Sequence, residues 1–131
     1  MKKILFFAPL LLLLASCQES LEDRAAREVV EYTRKACPQK LNDFTILDSL
    51  TFDKSTHTFT QHLTLTGNAD NVERAQQMNS QLKDDLVMGV KSDTSQKRYK
   101  DEGYNFRFIA RSQSNKDVIL YQATVTKEDY Q

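Results

Sequence analysis

Apolar and small side chains at Leu21, Ala25, Ala26, Val29, Val30, Thr33 and Cys37 recur at three- and four-residue intervals, the spacing of one helix face. Arg24, Arg27, Glu28, Glu31 and Arg34 fill the other sides. Ser20, with Asp23 three residues on, has the form of an N-terminal cap, and Pro38 stops the helix. The period then falls to two. Phe44, Ile46, Leu50 and Phe52 predict a strand, Asp53–Thr56 a turn, and 57–66 a second strand. In that strand Phe59, Leu63 and Leu65 alternate with Thr58, Thr60, His62, Thr64 and Thr66.

After Gly67-Asn68, Asp70 with Glu73 predicts a helix carrying Val72, Ala75, Met78, Leu82 and Leu86 inward, with Gly89 as its C-cap. Asp93 with Gln96 opens a shorter helix closing at Gly103. Tyr104, Phe106, Phe108 and Ala110 then alternate against Asn105, Arg107 and Arg111, with Ile109 breaking the pattern. Residues 112–117 form a turn and 118–126 the last strand. The resulting order is αββ-α(α)ββ. It predicts an α+β two-layer sandwich, a four-stranded antiparallel sheet with helices on one face.

The N-terminus carries a different signal. Met1-Lys2-Lys3 is a short cationic stretch before an apolar run from Ile4 to Ala15, too short to span a bilayer as a helix. Leu14-Ala15-Ser16-Cys17 resembles the lipobox of bacterial lipoproteins. That resemblance implies diacylation of the Cys17 thiol, cleavage before it, and a chain divided into a signal peptide, 1–16, and one α+β domain, 17–131. Acylation by two or three chains anchors stably, where a single chain does not. The first helix starts so near Cys17 that the domain should lie close against the membrane. Gln18 in place of Asp implies passage to the outer membrane, with the domain facing periplasm or cell surface. The acidic stretch 18–23 is also similar to the surface-export signals of lipoproteins in the Bacteroides group.

Composition narrows the chemistry. Removing Lys2 and Lys3 with the signal leaves 16 basic against 18 acidic side chains, which excludes the basic patch that nucleic-acid binding needs. Two Cys, three Gly and no Trp exclude a disulfide scaffold, a Cys-rich zinc site and a glycine-rich phosphate loop. His57 and His62 are five apart on a strand and point to opposite faces, so they share no metal. Cys37 ends a helix, whose dipole raises a thiol pKa, and reads as a structural thiol or an inter-chain disulfide rather than a nucleophile. Asp84-Asp85, Asp101-Glu102 and Glu128-Asp129 are adjacent acids that diverge on a helix and read as solvated surface. No metal, cofactor or catalytic residue is expected. The candidate binding surface is the polar sheet face, with Thr60, His62, Thr64, Arg107 and Arg111, flanked by Thr58, Thr66, Asn105 and Ile109 if the two hairpins pair side by side. An edge strand open to strand addition is a second candidate.

The stretch from Gly103-Tyr104-Asn105-Phe106-Arg107-Phe108, through Val118-Ile119-Leu120-Tyr121, to Lys127-Glu128-Asp129-Tyr130 resembles small lipoproteins of unknown function from Bacteroides-type bacteria. The αββ order is similar to β-lactamase-inhibitor-like domains and to small lipoproteins of the outer-membrane assembly machine, an analogy of fold only. Sequence thus points to a membrane-anchored, non-enzymatic outer-envelope lipoprotein with an envelope protein partner. A glycan- or small-ligand-binding module on the same face is the alternative, and an envelope hydrolase the third.

Overall fold

The computed structural model describes residues 18–131. The predicted signal peptide and Cys17 lie outside the described residues. Helix α1 spans Leu21–Ala36, and its start is fixed locally: the Ser20 hydroxyl accepts the Asp23 N–H at 3.0 Å. Glu22 and Asp23 sit at its positive end and Arg34 and Lys35 at its negative end. Ala25 and Val29 are buried, but Val30 is 65% exposed, so the buried stripe is narrower than the predicted one. The helix runs along β2 (Thr45–Asp53) and is pinned at both ends. The Thr33 hydroxyl accepts the Leu50 N–H at 2.9 Å, and Lys54 Nζ meets Asp23 at 2.6 Å.

The sheet has five strands in the order β1 (Gln39–Asn42), β2, β3 (Thr58–Leu65), β4 (Asn105–Ser112) and β5 (Ile119–Val125). Two parts of the predicted sheet are corrected. A short edge strand, β1, precedes the others, and β3 and β4 pair in parallel, with Thr58 opposite Asn105 and Leu65 opposite Ser112. The remaining pairs are antiparallel. Parallel neighbours need a crossover, and the helical segment between β3 and β4 supplies it.

That segment also departs from expectation. The helix cap is Asn71, whose Oδ1 accepts the Arg74 N–H at 2.9 Å. Asp70 instead accepts both the N–H and the hydroxyl of Ser114, tying the crossover to the β4–β5 turn. One predicted helix is two, α2 (Val72–Gln77) and α3 (Asn79–Ser92), broken at Met78. Val72 and Met78, predicted inward, are half-exposed at 51% and 45%. Gly89 is no C-cap; it lies inside α3. Asp93 caps a single 3₁₀ turn that leads into α4 (Lys97–Asp101), and Gly103, at φ +77°, reverses the chain into β4. A final turn of helix, α5 (Lys127–Tyr130), opens with a Thr126–Asp129 capping box.

The core lies between the sheet and α1, α3, α4 and α5. Partly buried Phe59 packs against it, stacked on Phe106 with ring centroids 5.6 Å apart and edge-on to Tyr99 at 4.7 Å. Ala25 and Val125 are fully enclosed, and Tyr104 is 2% exposed. The Tyr130 hydroxyl donates to the carbonyls of Lys100 and Tyr104, fastening the C-terminus to the α4–β4 corner.

Candidate functional site

The parallel register places Thr60 beside Arg107, His62 beside Ile109, and Thr64 beside Arg111, all on the sheet face opposite the helices. The two hairpins do pair side by side, as envisaged, but through a parallel β3–β4 pair. The face is also less wet than a solvated sheet. Thr60, Thr64 and Ile109 are buried although no helix packs there, so the stems of longer neighbours cover them. The polar tips are engaged with one another. His62 Nε2 lies 2.9 Å from the Thr51 hydroxyl, Thr64 donates to Asp48, and Arg107 Nη2 donates to Gln122 at 3.1 Å. Burial, then the positive charges of Arg111 and Arg107, hold the His62 pKa below its ordinary value; Asp48 opposes them more weakly. Asn105 is spent on the Thr56 carbonyl, and Thr66 lies past the strand end.

The other singled-out residues scatter. His57 lies in the turn before β3 at φ +53°, stacked on Tyr104 at 4.6 Å with Nε2 3.2 Å from Glu22. Cys37 is a half-buried free thiol, its pKa pushed up by burial and by the charge of Asp48. Asp101 pairs with Lys97, Asp85 accepts from Gln81, and Asp129 caps α5 and meets Lys83 at 3.5 Å. Among the described residues, no group of three or more His, Cys, Asp or Glu is placed to hold a metal, and no helix is long and apolar enough to cross a membrane.

A concavity lies on the opposite side, between α1 and α3 over the sheet. It is a groove of about 530 Å³. Val29, Leu47, Leu50, Phe59, Leu86 and Phe108 supply apolar lining, and Glu28, Asp85 and Asp93 add carboxylates. Glu28 is held in place by Arg24 and by the Tyr99 hydroxyl, which donates to it at 3.0 Å. Asp85 and Asp93 are exposed. Gly89 lines the α3 wall, and a Cβ there would meet no atom within 4 Å. Reading the sequence missed this groove. Its one signal was a glycine inside an apolar helical run, Leu86-Val87-Met88-Gly89-Val90, which has the same local form as a helix end.

A two-layer α+β module with an apolar groove between its helices thus follows a short N-terminal segment. The chain belongs to a family described as Domain of unknown function (DUF8479), whose model matches residues 20–121. Residues 1–18 match the prokaryotic membrane lipoprotein lipid attachment site. Searching curated proteins finds no sequence match. Among solved structures, a secreted protein of Pseudomonas aeruginosa shares the fold at a TM-score of 0.63 and 13% identity, over 87% of this chain and 100% of that one. EpsS, a pilotin of the Vibrio vulnificus type 2 secretion system, aligns at a TM-score of 0.63 and 15% identity, over 85% and 92%. The type II secretion pilotin AspS of Vibrio cholerae aligns at 0.57 and 18%, over 88% and 97%. At these identities the likeness is one of fold.

Proposed function

We propose that the protein is a lipid-anchored, non-enzymatic accessory module of the cell envelope that docks a protein partner in the α1–α3 groove. Residues 1–16 are the signal peptide, Cys17 is acylated, and 17–131 form one domain held at the outer membrane. The observation that carries the reading is the groove itself, an apolar trough with carboxylates at its edges and a glycine in one wall. Such a site fits a segment that presents apolar side chains flanked by Lys or Arg. Each apolar side chain seated there would contribute roughly 1.5–3 kcal/mol through burial, and the edge charges would set orientation more than affinity. Likeness in fold to two pilotins supports a place beside a secretion or assembly machine.

A photo-crosslinking residue at position 89, in lipidated protein in intact cells, tests this. One envelope protein should be captured there and not from position 116, in the exposed β4–β5 turn. Asp85→Lys with Asp93→Lys should abolish capture, and Cys17→Ser should reduce it. No adduct at 89, or one indifferent to the charge reversal, overturns the groove reading.

A further inference from the structure

Apart from the groove, we infer that the open sheet face is a second docking surface, one that takes an extended acidic segment of another protein. Arg107 and Arg111 lie four residues apart on β4 and point to the same side, roughly 13 Å from one to the other at the rise of an extended strand. Neither has a carboxylate within ion-pair distance among the described residues. Lys40, opposite Ile46 in the row that continues through Thr64 to Arg111, adds a third positive charge to the same face. The strand carboxylates of the face are already engaged, Asp48 by the Thr64 hydroxyl and Asp53 by Ser55. Two guanidinium groups without an ion-pair partner thus stand on a face where Ile109, Thr60 and Thr64 are already buried.

An extended chain turns every second side chain to one face, so acids four residues apart match this spacing. Each carboxylate can take a guanidinium in bidentate fashion. The surface suits a sugar polymer less well. The rows through Thr51, Thr60, His62 and Thr64 expose no aromatic ring for stacking, and three of those four groups bond to one another or to Asp48. It also suits a bilayer less well. The start of α1 lies beside the β2–β3 turn, at one end of the strands rather than across their face.

The test uses the mature lipidated chain in neutral detergent and a fluorescent peptide of about twelve residues alternating Glu and Thr. Fluorescence anisotropy should show binding at low salt that weakens with added salt. Arg107→Gln with Arg111→Gln should weaken it at least about tenfold, while circular dichroism and the crosslink at position 89 stay unchanged. Absence of peptide binding, or equal binding by the double variant, overturns the proposal. Tighter Arg-dependent binding of polygalacturonate or of phosphatidylglycerol vesicles than of the peptide overturns the choice of a protein segment.

Discussion

Tyr99 shows how one side chain couples the core to the groove. Its ring is 4% exposed and its hydroxyl donates to Glu28, so ionisation would place a charge both in the core and beside a carboxylate. Burial first, and Glu28 second, push its pKa from 10 up to about 12. The raised value means the folded state favours the neutral phenol. The stability this contributes is complete below pH 10 and is lost as pH climbs from 10 to 12. Tyr99→Phe should therefore flatten that part of the stability curve, and Glu28→Gln should bring the tyrosinate titration to lower pH, both read by absorbance and thermal unfolding. At this scale much was legible. Phe59, Phe106 and Phe108 were assigned inward from alternation alone, and Ile109, the residue that broke it, is buried too. It lies in the middle of the sheet, between His62 on β3 and Gln122 on β5, a placement no window of β4 contains.

At the scale of elements, two glycines with the same sequence-level reading behave oppositely. Gly103 does end a helix, at φ +77°, where a Cβ would also come within 3.2 Å of the Lys127 side chain. Gly89 sits in regular helix with open space beside it. Gly103→Ala should cost about 1 kcal/mol or more, and Gly89→Ala should add about 0.5–1 kcal/mol. Urea unfolding distinguishes the two directions. Strand β1 escaped notice for a related reason. All four of its residues are exposed, so it buries nothing and leaves no alternation to read. The cap at Asn71 rather than Asp70 is a one-residue ambiguity between two good capping side chains; Ser114, distant in sequence, decides it by engaging Asp70.

For the whole molecule, local pattern gave four of the five strands, their two hairpins and the layer of helices, but not the direction in which the hairpins join. Both a parallel and an antiparallel partner bury the same face of β3, and only the length and path of residues 66–104 choose between them. The groove is hidden at the same level. It is a gap between helices far apart in sequence, and no single helix records its distance from another. The central pairing makes a sharp prediction for the intact fold. A chain ending at Gly103 keeps α1, β1–β3 and the crossover but leaves β3 without its inner neighbour. It should lack a cooperative thermal transition and associate with itself, as light scattering and calorimetry would show.

The parallel β3–β4 pair has a further consequence for biogenesis. A secreted chain reaches the far side of the membrane N-terminus first and unfolded. The β2–β3 hairpin therefore emerges well before the strand that completes it, with Phe59, Leu63 and Leu65 beside an unpaired row of backbone donors and acceptors. Long-range pairing of this kind is slow to form and prone to aggregation while it waits. Maturation should consequently depend on a holdase during the interval before β4 arrives, and a strain lacking that help should lose this protein to proteolysis first.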